Sequence, residues 1–215
     1  MPKILFCGDP HSEFHQIISA VHTHRPDAVV LLGDIEAKQP LDLELAAISG
    51  KTEIWWIHGN HDTDSQRAYA FLYDSALADR NLHGRVVDVA GVKIAGVGGV
   101  FREKIWMPGR AEVYESPEDY LASCGEENYW RDGLPLKHRS SIFPSEIHAL
   151  SAQDADILVT HEAPDLHVHG SSALTDLAAK LQVKAAFHGH HHEDIAYPGG
   201  IWRGVGLRQV YIWSS

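Results

Sequence analysis

Cysteine is almost missing from this chain: Cys7 and Cys124 are the only two in 215 residues, and they stand far apart in dissimilar surroundings. Such a pair builds neither a disulfide framework nor a thiolate metal cluster, and a reducing, cytoplasmic setting is the expectation. Basic charge is scarce as well, with 18 lysines and arginines against 29 acids and a formal net charge of −11. Proteins whose main task is gripping nucleic-acid backbone present basic faces. Nucleic acid is therefore disfavoured as a partner, although a local basic groove is compatible with this balance. Long apolar runs are absent, which removes a helical membrane span. Met1-Pro2-Lys3 leads straight into a short apolar run, without the charged and then apolar pattern of an export signal. No repeat or low-complexity tract divides the sequence, so one domain over residues 1–215 is expected.

What the chain does have is a recurring pattern of short apolar runs that stop at glycine. Lys3-Ile4-Leu5-Phe6-Cys7 ends in Gly8-Asp9-Pro10-His11, and Ala28-Val29-Val30-Leu31-Leu32 ends in Gly33-Asp34. Glu53-Ile54-Trp55-Trp56-Ile57 runs into His58-Gly59-Asn60-His61-Asp62. Such runs read as central strands of an α/β sheet covered on both faces, with glycine and proline forcing the loops. Between them Phe14, Ile17, Ile18 and Val21, and then Leu41, Leu45 and Ile48, recur at helical spacing. Ser12 is the expected N-cap of the first helix and Gly50 the stop of the second. The pattern returns in Asp156-Ile157-Leu158-Val159-Thr160 before His161-Glu162, and in Lys184 to Phe187 before Gly189-His190-His191-His192. Alternate side chains of extended backbone share a face, so His190 and His192 are expected to face one spot and His191 another.

Elsewhere a helix is expected within Asp64–Ala78, a hairpin from Arg85–Ala90 and Val92–Val97 around Gly91, and a short helix over Thr175–Gln182. Three β-runs, at Ile195–Tyr197, Ile201–Val205 and Gln209–Trp213, are expected to pair antiparallel. From Val100 to Ser151 the alternation is lost. This excursion carries Trp106, Tyr114, Tyr120, Tyr129 and Trp130 together with Arg102, Arg110, Arg131 and Arg139. Long segments of this kind inside a domain are usually lids or binding loops. A lid or insertion over about 100–151, with short helices near Pro117–Ser123 and Pro144–Gln153, is preferred to a cover over one sheet edge.

The strand ends collect Asp9, His11, Asp34, Asn60, His61, His161, His190 and His192. Carboxylate, amide oxygen and imidazole without sulfur suit manganese, iron or zinc. One divalent ion takes about four to six ligands, so the inventory exceeds a single site and fits two ions sharing a carboxylate. Singly each residue has a plainer reading: Asp9 and Asp34 as turn formers, Asn60 as a left-handed turn residue, His161 as an ordinary strand-end histidine. Jointly those readings require every polar coincidence to fall at one edge of the sheet.

Asp9-Pro10-His11, Gly33-Asp34, Gly59-Asn60-His61-Asp62, the later His161 and Gly189-His190-His191-His192 together resemble the ordered motif set of the calcineurin-like metallophosphoesterase superfamily. The resemblance spans nearly the whole chain. It implies a four-layer αββα sandwich with two mixed β-sheets and a metal site at the strand carboxyl ends. It also implies roles: Asp9, His11 and His192 on one divalent ion, Asn60, His161 and His190 on a second, Asp34 bridging, and His61 as proton donor to the leaving oxygen. A bridging water or hydroxide would attack phosphorus. Manganese is the first expectation for the metal, then iron or zinc.

Asp62 and Glu162 are expected to orient neighbouring histidines, and His58, His188 and His191 to be structural. His167 and His169 are expected on the surface, as are Arg67 and Arg139 despite the phosphate-gripping chemistry of a guanidinium. Ile35-Glu36-Ala37-Lys38 follows Gly33-Asp34 in place of the Asp-Arg-Gly continuation of the superfamily's protein phosphatases. The expected activity is therefore a phosphatase or phosphodiesterase acting on a small or peptide-borne phosphoester. The alternatives are a catalytically silent scaffold of the same fold that binds a protein partner, or a metal-dependent nuclease.

Overall fold

The apolar runs fold as strands because each is flanked by a chain reversal and can bury both of its faces. The computed structural model describes residues 2–214. In chain order its elements begin β1 (Lys3–Cys7), α1 (His15–His24), β2 (Ala28–Leu32), α2 (Leu41–Glu44), β3 (Glu53–Ile57) and α3 (Gln66–Tyr73). The hairpin β4 (Val86–Val89) and β5 (Val92–Val97) follows, then α4 (Pro117–Ser123) and α5 (Pro144–Ser151). The chain closes with β6 (Ile157–Thr160), α6 (Ser172–Lys180), β7 (Ala185–His188), β8 (Ile195–Ala196), β9 (Trp202–Gly204) and β10 (Val210–Ser214).

Two mixed sheets result, one of four strands in the order β10-β1-β2-β3 and one of six in the order β4-β5-β6-β7-β9-β8. β1, β2 and β3 are parallel, as are β5, β6, β7 and β9, and the antiparallel strands β10, β4 and β8 close three of the four edges, β3 forming the fourth. Alternation along each strand divides its side chains between two cores. Ile4, Phe6, Val30 and Ile57 meet Ile94, Val159 and Phe187 between the sheets. Phe6 stacks on Phe187 at 3.9 Å there. Leu5, Leu31 and Trp56 face outward to Ile17, Val21, Leu45 and Leu72 of the first helical layer. Ala95, Leu158 and Ala186 of the second sheet face Ile147, Leu150, Leu174 and Leu177 of the other. These are the four expected layers, and each buried aliphatic or aromatic side chain contributes about 1.5–3 kcal/mol to holding them.

Three local expectations need correction. Ser12 does not cap α1; its hydroxyl donates to the Glu36 carbonyl at 2.6 Å, and the helix begins three residues later without a side-chain cap. Leu41 to Ile48 is not one helix but α2 followed by a single 3-10 turn over Ala46–Ile48. Of the last three β-runs only β8 and β9 pair antiparallel with one another. Gly199 and Gly200, both at positive φ, reverse β8 so that β9 lies parallel to β7, and β10 leaves for the other sheet to pair with β1.

The excursion from Val100 to Ser151 is tied off at its base, where Val100 donates to the Ser140 carbonyl at 2.9 Å and Ile142 to the Val100 carbonyl at 3.1 Å. Ile105, Trp106, Tyr120 and Phe143 enter the outer core of the second sheet, so the segment supplies part of that helical layer. Both predicted short helices are present within it, as α4 and α5.

Candidate metal centre

Every parallel strand of the first sheet ends where the corresponding strands of the second end. Hydrogen bonds tie the two edges together, among them that from Nδ1 of His161, after β6, to the Leu32 carbonyl at the end of β2 at 2.8 Å. The backbone beyond the strands is bent hard. Asp9, His11, Asp34, His190 and His192 all lie at positive φ, from 38° to 69°. Such conformations are costly for non-glycine residues and concentrate where geometry serves a ligand. They also replace the expected reason for the divergence of the histidines, since His190 and His192 follow β7 in left-handed turns and not in extended chain. Gly33 and Gly59 are required by close approach: a Cβ on the first would overlap the His161 ring, and one on the second would overlap the Asp34 carboxylate.

Asp34 is the hub. Its Oδ1 accepts from the His61 backbone N–H at 2.9 Å, its Oδ2 lies 3.5 Å from His161 Nε2, and with His161 and His190 it offers donor atoms all within 4.8 Å of one another. Asn60 Oδ1 is 3.3 Å from His161 Nε2. Asp9 Oδ1 accepts from the His190 backbone N–H at 3.0 Å and lies 3.8 Å from His161 Nδ1. His11 Nε2 and His192 Nε2 stand 3.1 Å apart. Of the seven expected ligands, Asp34, His161 and His190 gather most closely, Asn60 and Asp9 lie against His161, and His11 and His192 form a separate pair at the same strand ends.

Charge in this cluster is unresolved without a cation. Burial alone would raise the Asp34 carboxyl, but His161 and the His61 N–H hold it below the usual carboxylate range. Burial would likewise depress His161, yet Asp34, its hydrogen bond and Asp9 push it up to about 10. Burial lifts Asp9 to about 6 and, with the charge of His161, lowers His190 to about 3. Asp9 Oδ2 and His190 Nδ1 are buried without any hydrogen-bond partner. Buried orphan lone pairs of this kind cost about 1–3 kcal/mol each, and a divalent ion would satisfy them. An all-oxygen-and-nitrogen donor set fits manganese, iron or zinc.

His61 is exposed and its ring lies 5.9 Å from that of His11. Nδ1 donates to Asp64 Oδ2 at 2.7 Å, and this bond raises the imidazole pKa above its ordinary value against a partial burial penalty. Asp64 was not singled out in the sequence, although its place three residues after His61 in a one-turn helix was a readable signal. Glu36 was also missed: it accepts from His11 Nδ1 and so leaves Nε2 pointing at His192. The two acids expected to orient histidines serve elsewhere. Asp62 accepts from the backbone N–H groups of Glu36 and Gly59, both at 2.8 Å, which locks two loops together. Glu162 accepts from the Phe101 N–H at 3.3 Å and is pushed up to about 7 by burial.

Among the other histidines, His58 and His188 are buried and bonded to Tyr73 and Tyr197. His191 turns away from the cluster to stack on His167 at 4.0 Å. His167 is not a surface residue as expected but is 8% exposed, because this stack covers it, while His169 is exposed. Arg139 is taken up by the carbonyls of Leu134 and Trp130 and by the Tyr69 hydroxyl.

A sandwich of two mixed sheets carrying an Asp, Asn and His cluster at the strand ends defines a class of metal-site α/β proteins. The same layered fold is seen, at 15% identity and a TM-score of 0.60, in a crystal structure from Thermus thermophilus that covers 99% of this chain and 98% of its own. A hypothetical protein from the same organism shares it at 18% identity and a TM-score of 0.50, over 95% of this chain and 76% of its own. An uncharacterized protein of Haemophilus influenzae is 44% identical over 194 residues, 90% of this chain and 85% of that protein. The profile of the calcineurin-like phosphoesterases matches residues 2–194, and the chain belongs to that family. No helix among the described residues is long and apolar enough to cross a membrane.

Proposed function

We propose that the protein is a hydrolase of small or peptide-borne phosphoesters that works with two divalent metal ions, manganese first and iron or zinc next. Asp9, His11 and His192 would hold one ion, Asn60, His161 and His190 the other, and Asp34 would serve both. The observation that supports this reading is the placement of buried Asp34, which with His161 and His190 offers donor atoms all within 4.8 Å of one another. When bound, such a pair of ions polarises phosphoryl oxygens and lowers the pKa of coordinated water.

The protein's own groups do the rest. His161 directs Nε2 inward because Nδ1 is committed to a carbonyl, and His11 does the same because Nδ1 is committed to Glu36. His61, kept protonated toward neutral pH by Asp64, is the proton donor to the leaving oxygen. A groove of about 340 Å³ opens beside it, lined by Ser12, Lys38, Asp64, Arg67 and Phe71, and has the size for a small organic leaving group. We read the chain as one cytoplasmic domain whose 100–151 segment borders the site through Arg102 and Ser140. The test is hydrolysis of a chromogenic phosphomonoester and a phosphodiester by the purified protein with manganese, zinc and iron in turn. Inertness toward both ester types with all three metals overturns the reading.

A further inference from the structure

The excursion carries Arg102, Arg110, Arg131 and Arg139, and three of the four are already committed. Arg110 pairs with Glu103 at 2.5 Å. Arg131 grips Asp74 through two bonds of 2.8 Å. Arg139 is consumed by carbonyls and a tyrosine hydroxyl. Arg102 is the exception. Among the described residues its guanidinium makes a single hydrogen bond, from Nη2 to Ser140 Oγ at 3.0 Å, and its Nε is buried with no partner.

Its location is fixed by that one bond. Ser140 Oγ is 2.6 Å from Thr63 Oγ1, and Thr63 in turn donates to the carbonyl of Asn60, one of the cluster residues. The backbone at Arg102 is pinned on both sides: its carbonyl accepts from Ile105 and Trp106 at 2.8 Å, and the preceding N–H is held by Glu162. The charges facing the guanidinium are Asp64, the partner of His61, and Glu162, which neighbours His161. Neither approaches within salt-bridge distance of Arg102 among the described residues. A half-buried guanidinium, without a salt bridge among the described residues, is therefore linked through Ser140 and Thr63 to the Asn60 loop of the site, in a protein of net charge −11.

We propose that Arg102 grips the non-bridging oxygens of a tetrahedral oxyanion, the phosphoryl group of the substrate. The guanidinium supplies a planar fork of N–H donors that matches two oxygens of one phosphate. Ser140 and Thr63 hold that fork in register with Asn60, so the excursion contributes the substrate contact and the strand ends contribute the ligands. This assignment rests on the hydrolase reading above.

The experiment titrates inorganic phosphate calorimetrically into the manganese-loaded protein, for wild type, Arg102→Met and Arg102→Lys, with metal content and melting temperature recorded for each. Arg102→Met is expected to weaken phosphate binding by about 10- to 100-fold, the equivalent of one charge-assisted hydrogen bond. Arg102→Lys keeps the charge without the fork and should fall between the two. With a chromogenic ester, KM should rise in the Met variant more than kcat falls. Phosphate affinity in either variant equal to that of wild type, at equal metal content, overturns the assignment, as does a wild-type protein that binds no phosphate. If the wild type turns over no ester yet binds phosphate through Arg102, the hydrolase reading falls and the oxyanion site stands.

Discussion

The carboxyl edge of the two sheets and the excursion over residues 100–151 are built on opposite terms. At the edge, Asp9, His11, Asp34, His190 and His192 sit in strained left-handed backbone, and Asp9 Oδ2 and His190 Nδ1 are buried without partners. In the excursion, Ser116 caps α4, Glu146 bonds the Phe143 N–H ahead of α5 and the His83 ring, and three arginines are paired. Polar groups of the excursion find their partners within the fold, apart from Arg102. At the edge, Asp9 Oδ2 and His190 Nδ1 do not. The edge is therefore shaped to hold a ligand, since strain and orphaned lone pairs persist only where the surrounding packing over-determines them.

Replacing an acid with its amide on each side tests this contrast most directly. Asp9→Asn removes a buried carboxylate that has no partner for one of its oxygens. We expect metal content and ester hydrolysis to fall to background, while the metal-free protein melts at the same temperature or higher, read by calorimetry in chelator. A large loss of stability in the metal-free Asn variant would mean that the edge is held by its own contacts after all. His61→Ala lies next in size. Activity should drop by about 10²- to 10⁴-fold, the usual contribution of a positioned general acid, with metal content unchanged by elemental analysis.

The same acid-to-amide change in the excursion should have the opposite sign. Glu146 is 3.0 Å from His83 Nε2 and accepts from the Phe143 N–H at 2.9 Å. Burial would raise this carboxyl, but His83 and the N–H hold it below the ordinary range. Glu146→Gln is expected to destabilise the fold by about 1–3 kcal/mol, the cost of leaving buried partners unsatisfied, measured as a shift in urea midpoint. The pH dependence follows from the sign of the shift. A carboxyl with a depressed pKa stabilises the fold above its unfolded value and loses that contribution as pH falls through the folded one. The gap between wild type and the Gln variant should therefore be full near neutrality and close in acid.

What could be read from the sequence was what depends on neighbours along the chain. A strand end followed by a ligand-type polar residue, beside glycine in four cases and without it at His161, is a local signal, and all five such ends arrive at one edge. Gly33 and Gly59 were legible as turns, but their stricter role, room for His161 and Asp34, needs two loops at once. The partners Glu36 for His11 and Phe101 for Glu162 span 25 and 61 residues and leave no trace in spacing. The direction of β9 was hidden for a similar reason, since it is decided by a glycine pair and by which strand has a free edge. Which excursion arginine stays unpaired is likewise a tertiary fact.

The smallest expected effect gives the finest test of the edge. His190 belongs to two groups of donor atoms that lie within 4.8 Å of one another, one with Asp34 and His161 and one with Glu162 and His191. The first is the deeper, with Asp34 and His161 buried, and it contains the hub carboxylate. In the second, Glu162 is taken up by the Phe101 N–H and burial raises its carboxyl pKa to about 7, and His191 is engaged in the stack on His167. His191→Ala should therefore leave metal content and hydrolysis unchanged and lower the melting temperature slightly through the lost stack. If instead it lowers metal content as strongly as His192→Ala does, the ion beside His190 is held on the Glu162 side, and the boundary between the strained edge and the satisfied excursion runs through Glu162 and not through Arg102.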